Sequence, residues 1–291
     1  MKTNNAMQLK AVIKRRATEA GVSPQLMLQN YMLERLIDRI SRSPWRDSII
    51  VKGGMLIGSL IGVDRRSTKD LDTTIRNFSL SHRKAEEVFG GICDIEVDDD
   101  ITFTFVRTED ICDTDEYPGI RVFLKASYAP MSVPLKVDIT TGDAIVPEAI
   151  TYEYPFAFDE GSARILAYPL ETIFAEKLET VLTRSTANTR PRDYYDIYEL
   201  WHIRGNECDI ALMREALTAT CEKRGSLDLI QDYREILDSV KASNIMTRRW
   251  DSYTADHSYA SGISFASACE AAATIMALLL RQPLASPTQT Q

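Results

Sequence analysis

The spacing of apolar residues changes once along this chain, and that change limits what the chain can fold into. In the front part, short runs alternate apolar and polar residues, which predicts strands with one buried face. From Pro169 onward, apolar residues recur at helical spacing over 169–184, 192–203, 209–224, 227–240 and 265–281. The sequence therefore predicts an α+β chain, with a mixed β-sheet domain flanked by helices over residues 1–165 and an all-helical domain over residues 166–291.

Strands of one sheet are predicted for four alternating runs, at residues 70–75, 101–106, 120–124 and 135–139. A further short strand over 48–52 ends at Gly53-Gly54, and a helix over 55–61 follows it directly. Two helices precede these elements. The first covers 5–20 and ends at Gly21, and the second begins after Ser23 and ends before Ser43.

The composition fits a globular protein. Of 291 residues, 44% are hydrophobic and 26% are charged, and the longest purely apolar stretch, 275–280, is far shorter than the ~20 residues of a membrane span. The basic residues among the first sixteen precede no apolar core, so no secretory signal is predicted. Five widely spaced cysteines form neither a disulfide framework nor a zinc pair. We therefore expect a cytoplasmic protein with no membrane partner.

The net charge of −8, from 34 basic and 42 acidic residues, argues against bulk electrostatic binding to nucleic acid. Much of the acidic excess lies in Asp94–Glu116, where ten carboxylates accompany one base, Arg107, and where we predict mostly solvated loop. A local basic track is compatible with this balance, and its candidate members are Arg190, Arg192, Arg248 and Arg249.

Three carboxylates on the predicted sheet form the candidate catalytic centre. Asp70 and Asp72 flank Leu71 on one strand, so both project to the face opposite Leu71. On another strand, the same alternation places Lys136 and Asp138 on one face. An Asp-x-Asp pair alone also occurs by chance on half-exposed strands. Three carboxylates from two strands, beside a glycine pair, predict a site for two Mg²⁺ ions, because Mg²⁺ prefers hard oxygen ligands.

Gly53 and Gly54 follow a strand directly and predict a phosphate-binding turn, because bare backbone N–H groups at the start of a helix can approach a triphosphate. Gly58-Ser59 offers an alternative motif, with ten residues between it and Asp70. It falls inside the mostly apolar run 55–61, so we favour Gly53-Gly54.

Five segments carry a family resemblance: Lys52-Gly53-Gly54, Arg66–Asp72, Leu135–Asp138, Glu176–Glu179 and Arg190–Ile197. Together they resemble the AbiEii/AbiGii toxin family, a branch of the DNA polymerase β-like nucleotidyltransferases. The similarity spans about residues 5–205.

The resemblance implies roles for individual residues. Asp70, Asp72 and Asp138 are expected to bind Mg²⁺ or Mn²⁺ and to act in catalysis together with Lys177 and Asp193. The nucleotide is expected to contact Gly53, Gly54, Arg66, Thr68, Lys136 and Lys177. In such proteins the helical domain completes the active-site cleft, with Lys177 as a point charge on the triphosphate and Asp193 holding Lys177 or an incoming nucleotide in place. Without the resemblance, Lys177 is interpreted as a surface residue at a helix edge, and Asp193 as a charge that complements a helix N-terminus.

The implied function is transfer of a nucleotide from an NTP to an acceptor, the 3′ end of a tRNA, with release of pyrophosphate. The implied context is an abortive-infection toxin–antitoxin pair in phage defence, whose antitoxin acts without necessarily binding the toxin. Two alternatives stay open: a nucleotidyltransferase that modifies a protein, and a catalytically inactive nucleotide-binding module. Loss of a carboxylate is expected of the inactive module, and all three are present.

Overall fold

A computed structural model describes residues 5–111 and 119–281, which form two compact units. The first unit contains the chain up to Asp143, Glu148–Pro169 and Thr254–Ser261. The second unit contains Ala144–Pro147, Leu170–Tyr253 and the chain from Gly262 onward. The described residues contain no helix with the length and apolar character of a membrane span.

A seven-stranded mixed sheet forms the first unit. Its strands are β1 (Ile49–Lys52), β2 (Leu71–Ile75), β3 (Thr102–Ile111), β4 (Gly119–Tyr128), β5 (Met131–Thr141), β6 (Ile150–Pro155) and β7 (Ser162–Ala167). Their order in the sheet is β3-β4-β5-β2-β1-β7-β6. The pairs β2/β5 and β1/β7 are parallel, and the other neighbouring pairs are antiparallel.

The alternation of the central strands determines which face of the sheet is buried. Leu71, Val122 and Val137 are fully buried, and the residues that follow or precede them along each strand are more exposed. Because successive side chains point to opposite faces, the polar residues of these strands share the other face. The predicted strands at 70–75, 101–106, 120–124 and 135–139 are confirmed, although the last three are longer than predicted.

The helices of the first unit before β3 are α1 (Ala6–Ala20), α2 (Pro24–Arg42), α3 (Gly53–Ile61) and α4 (His82–Cys93). The Asn5 side chain accepts a hydrogen bond from the Gln8 backbone N–H, and Ser23 accepts one from Leu26, so both leading helices carry side-chain N-caps. Gly21 ends α1 with φ of +65°. Both predicted leading helices are therefore confirmed.

Helices account for most of the second unit. The helices in this part of the chain are α5 (Leu170–Arg184), α6 (Arg192–Arg204), α7 (Ile210–Lys223), α8 (Tyr233–Ala242), α9 (Asn244–Asp256) and α10 (Phe265–Arg281). Aromatic side chains join them, with the Tyr194 and Phe265 ring centroids 5.4 Å apart and those of Phe174 and Trp201 5.9 Å apart. Tyr194 and Tyr195 are completely buried, so they serve packing.

Four elements were not predicted from the sequence, namely α4, β6, β7 and α9. Helix α4 contains the pair Gly90-Gly91, which lowers its helix propensity, although Ala85, Val88, Phe89 and Ile92 are buried at helical spacing. Strand β7 pairs in parallel with β1, far away along the chain, and such a pairing leaves no local signal.

The prediction that Asp94–Glu116 is mostly solvated loop was wrong in two places. Residues 107–111 continue β3 beyond the strand predicted at 101–106. The Asp99 side chain is 8% exposed and accepts two hydrogen bonds from the Arg39 guanidinium, at 2.8 and 2.9 Å. A buried arginine such as Arg39 needs a paired carboxylate, and this is why the Asp99 side chain is not in a solvated loop. The acidic residues at 113, 115 and 116 lie outside the described residues.

Gly54 and Gly90 provide a matched pair of glycines in helices. A Cβ atom at Gly54 would lie 2.7 Å from the Thr68 side chain, whereas one at Gly90 meets nothing within 4 Å. We therefore expect Gly54→Ala to destabilise the protein, and Gly90→Ala to stabilise it by about 0.5–1 kcal/mol because alanine favours a helix. Urea unfolding of both variants measures this. Equal free energies of unfolding for the two variants would contradict the close packing at Gly54.

Candidate functional site

The turn from β1 into α3 brings backbone close to a carboxylate. Gly53 has φ of +65°, and a Cβ atom there would lie 2.0 Å from Asp72 Oδ2. The Gly54 backbone N–H donates to the same carboxylate at 3.3 Å. The positive φ and the missing Cβ explain why glycine is needed here. Gly58 and Ser59, the alternative motif, lie inside α3.

Charged residues form one row across the face of the sheet. In the strand registers, Lys52 of β1 is opposite Asp72 of β2, Asp72 is opposite Asp138 of β5, and Asp138 is opposite Arg121 of β4. Residues in register share a face, so these side chains are neighbours. The structure thus places two carboxylates side by side with a cation on each flank. We call Lys52, Asp72, Asp138 and Arg121 the charge row.

Arg121 holds Asp138 through two hydrogen bonds. Its Nε and Nη2 donate to Oδ1 and Oδ2 of Asp138, each at 2.7 Å. Hydrogen bonding to Asp138 is the main cause that raises the pKa of Arg121. A bidentate guanidinium fixes both the position and the orientation of a carboxylate. Asp138 is therefore oriented before any ligand binds.

Asp70 immediately precedes β2 and is oriented by Thr68. The Thr68 hydroxyl donates to Asp70 Oδ1 at 2.8 Å. The backbone of Thr68 is held in turn by Asn30 of α2, which accepts from its N–H at 3.2 Å and donates to its carbonyl at 2.7 Å. The segment before β2 is thereby fixed to a buried amide side chain.

The other cation of the row, Lys52, pairs with a carboxylate beyond β5. Lys52 Nζ lies 2.5 Å from Asp143 Oδ2, which also accepts hydrogen bonds from the hydroxyls of Thr140 at 2.9 Å and Tyr168 at 2.6 Å. Burial alone would raise the pKa of Asp143, but the Lys52 charge and the three hydrogen bonds lower it to about 2. Asp143 therefore stays ionised and holds Lys52 next to Asp72.

The remaining nucleotide-binding residues predicted in the first unit have different surroundings. Arg66 is buried and donates to the Ser67 carbonyl at 2.5 Å, while Thr68 is the residue that orients Asp70. Lys136 is exposed on the same face as Asp138. Gly54, Thr68 and Asp72 are thus brought together at one turn. Lys136 lies on β5, two residues before Asp138.

In the second unit, the predicted contact between Lys177 and Asp193 is present. Lys177 Nζ lies 2.6 Å from Asp193 Oδ1 and 2.8 Å from Asp196 Oδ2, and Arg190 Nε lies 3.1 Å from Asp193 Oδ2. Burial would raise the pKa of Asp193, but the charges of Lys177 and Arg190 outweigh it and lower that pKa. We call these four residues the buried ion cluster.

The interpretation of Lys177 as an ordinary surface lysine was wrong. Its side chain is 13% exposed, and both of its carboxylate partners are completely buried. The reason is electrostatic, since two buried carboxylates on one face of α6 require a cation.

Two of the three predicted metal ligands have a donor set that fits a divalent cation. Asp70 and Asp72 offer carboxylate oxygens beside the turn, and Mg²⁺ needs only one or two protein carboxylates when phosphates and water supply the rest. Asp138 has both oxygens bound to Arg121. Over residues 5–111 and 119–281, no group of at least three His, Cys, Asp or Glu side chains is arranged to hold a metal ion.

Comparison with known proteins shows to which family the chain belongs. The family model described as "Nucleotidyl transferase AbiEii toxin, Type IV TA system" matches residues 35–271. The chain belongs to the AbiEii toxin family. Membership of a type IV toxin–antitoxin family implies an antitoxin partner, and no curated relative matches the chain.

Three solved structures are similar to this AbiEii chain. JHP933 from Helicobacter pylori is 14% identical, covers 88% of this chain and 92% of its own, and superposes with a TM-score of 0.50. A candidate nucleotidyltransferase from H. pylori is 14% identical, covers 89% and 96%, and has a TM-score of 0.49. An antigenic nucleotidyltransferase-like protein from Paracoccidioides brasiliensis is 15% identical, covers 72% and 93%, and has a TM-score of 0.36. JHP933 confirms the predicted fold class.

Sequence analysis of the AbiEii chain missed Arg121, Asp143 and Asp196 as parts of these sites. Arg121 follows the apolar Ile120 on a predicted strand, so it looks like any solvent-facing arginine. Only the register of β4 against β5 places it on Asp138. Asp196 had a signal, because it shares a helix face with Asp193.

The Lys52–Asp143 pair predicts a pH-dependent effect. Lys52→Met leaves Asp143 buried without its cation, which should lower the free energy of unfolding by about 3–5 kcal/mol near neutral pH. A carboxylate with a lowered pKa contributes stability above its ordinary pKa of 3.8, and that contribution is lost as pH falls toward about 2. The difference between wild type and variant should therefore shrink below pH 4, measured by urea unfolding across pH. A constant difference would show that the ion pair is not its cause.

The buried ion cluster predicts strong coupling between its members. Lys177→Met keeps the aliphatic stem but strands two buried carboxylates, so we expect a loss of about 3–5 kcal/mol in the free energy of unfolding. Asp193→Asn removes one of those carboxylates, and the double variant should lose much less than the sum of the single losses. A double-mutant cycle by urea unfolding measures this, and additive losses would mean that the two residues act separately.

Proposed function

We propose that this AbiEii chain is a Mg²⁺- or Mn²⁺-dependent nucleotidyltransferase toxin of an AbiE-like abortive-infection system. In this proposal it acts in the cytoplasm in phage defence. It transfers a nucleotide from an NTP to an RNA acceptor, the 3′ end of a tRNA, and releases pyrophosphate. The observation that carries the proposal is the pair of carboxylates, Asp72 and Asp138, in register beside a glycine turn that begins a helix.

The triphosphate is proposed to bind at the start of α3. Backbone N–H groups of the first turn of a helix favour anions, and the absence of side chains at Gly53 and Gly54 allows close approach. Lys52, Arg66 and Thr68 lie around this turn and supply cationic or hydroxyl groups. The contributions of Lys136 and Lys177 to nucleotide binding, and that of Asp193 through Lys177, stay predictions from the family resemblance.

Asp70 and Asp72 are the residues proposed to hold the divalent cation, with Asp138 as the third carboxylate. A divalent cation held by these carboxylates would supply the positive charge that neutralises negative charge developing on the phosphates. Thr68 keeps Asp70 oriented, and the Gly54 N–H does the same for Asp72. Preorganised ligands of this kind reduce the cost of assembling the site.

Asp138 is proposed to accept the proton of the attacking hydroxyl. The acceptor oxygen forms a bond to the α-phosphorus, the bond from that phosphorus to the β-phosphate oxygen breaks, and pyrophosphate leaves. Arg121 orients Asp138 before this step through its two hydrogen bonds. This assigns the carboxylates distinct tasks, with proton transfer at Asp138 and cation binding mainly at Asp70 and Asp72.

Asp72→Asn tests the proposal. It keeps an oxygen for the Gly54 N–H but removes a charge, so the variant should fold normally and lose transfer by on the order of a hundredfold or more. Thermal unfolding and an assay with purified protein, each labelled NTP, Mg²⁺ and total RNA measure both effects. Asp47→Asn, at an exposed position, is the control and should transfer normally.

The outcomes of that assay separate the competing functions. Label in tRNA that requires Asp72 supports the proposal. Label in protein instead of RNA would identify a protein-modifying enzyme. An absence of label with every NTP would favour a catalytically inactive module, and severe unfolding of Asp72→Asn would make Asp72 a structural residue.

A further inference from the structure

An aromatic and basic surface adjoins the charge row on the outer face of strands β3, β4 and β5. Phe123 follows Arg121 at the next position on the same face of β4, because side chains alternate along a strand. The Arg107 guanidinium lies 3.8 Å from the centroid of the Phe123 ring, and Lys136 Nζ lies 5.9 Å from it. Lys125 is exposed at the following position on that face. We call Arg107, Phe123, Lys125 and Lys136 the stacking surface.

The stacking surface differs from an ordinary solvated sheet face in its charge. The two acidic residues nearest to it on this face already have partners, since Glu109 pairs with Arg107 and Asp138 pairs with Arg121. Among the residues that the structure describes, Lys125 and Lys136 form no ion pair with a carboxylate. The surface is therefore locally cationic on a chain whose net charge is −8.

The chemistry of this surface fits unpaired nucleotides. Single-stranded RNA is bound by stacking of bases on aromatic rings or on guanidinium planes, with lysines along the backbone. The Arg107 guanidinium lies within stacking distance of the Phe123 ring, and the Arg107 side chain is 49% exposed, so a planar group is available to a base. Lys136 of β5 is opposite Phe123 in the register, and Lys125 follows Phe123 on the same face of β4.

We propose that the stacking surface binds the single-stranded end of an RNA and directs it to the charge row. Phe123 is about 7 Å from Arg121 along β4. A base stacked on the Arg107 guanidinium over Phe123 therefore holds the end of its strand beside Asp138. This inference rests on the proposed function for the presence of an RNA acceptor. It goes further by naming the surface where that acceptor binds and the side chains that contact it.

Conservative variants at Phe123 test the stacking. Phe123→Leu keeps apolar bulk but removes the ring, and it should weaken binding of a short fluorescein-labelled single-stranded RNA by about tenfold in fluorescence anisotropy without NTP. Phe123→Tyr keeps the ring and should bind as wild type does. Circular dichroism and thermal unfolding confirm that both variants fold. Equal RNA affinities for the leucine variant and wild type would overturn the proposal.

The salt dependence of RNA binding tests the lysines. Lys125→Thr/Lys136→Thr should reduce the slope of log affinity against log salt by about 1.4, as expected for two lost phosphate contacts on a single strand. Lys10→Ala/Lys14→Ala removes the same charge from exposed positions on α1 and should leave the slope unchanged. If the slope changed equally in both double variants, the effect would come from net charge alone, and the proposed surface would be overturned.

The two proposals fail in different ways. If wild type binds RNA through Phe123 but transfers no nucleotide to it, the proposed function fails and the stacking surface stands. If wild type labels RNA and Phe123→Leu has an unchanged KM for that RNA, the proposed function stands and the stacking surface fails. If wild type labels only protein and does not bind the RNA probe, both fail.

Discussion

The parallel pairing of β2 with β5 is the constraint on which the first unit depends. It makes Asp72 and Asp138 direct neighbours, and like charges so placed destabilise a sheet. The strands outside this pair compensate, because β4 supplies Arg121 to Asp138 and β1 places Lys52 opposite Asp72. The order of the four central strands thus keeps a destabilised carboxylate pair between two cations.

The same region shows how the backbone is used where a side chain would interfere. Gly53 and Gly54 have no Cβ atoms, so Asp72 can approach the turn and accept a hydrogen bond from the Gly54 N–H. The glycines weaken the start of α3 as a helix, because glycine has low helix propensity. In return, the glycines allow a carboxylate to approach the backbone closely, and this close approach serves the proposed binding of phosphate and cation.

The buried ion cluster of the second unit stabilises the fold, whether or not Lys177 also contacts a nucleotide. Asp193 and Asp196 are completely buried, and Lys177 and Arg190 offset their charge. Removing one partner from such a buried cluster is far more costly than removing a surface ion pair. Lys177 therefore needs to be studied with its partners intact or removed together, because a single substitution changes folding and any nucleotide contact at once.

The sequence alone determined the fold class, the leading helices, the central strands, the glycine turn and the carboxylates of the charge row. These follow from periodicity and from residue types at short spacing, which are local properties of the chain. The Lys177–Asp193 contact also followed, through the family resemblance. Only the tertiary structure decided that Arg121 holds Asp138, that Lys52 pairs with Asp143, and that β6 and β7 join the sheet. Each of these depends on strand register or on pairing between distant segments, and register is set by which face of every strand is buried when the whole sheet assembles.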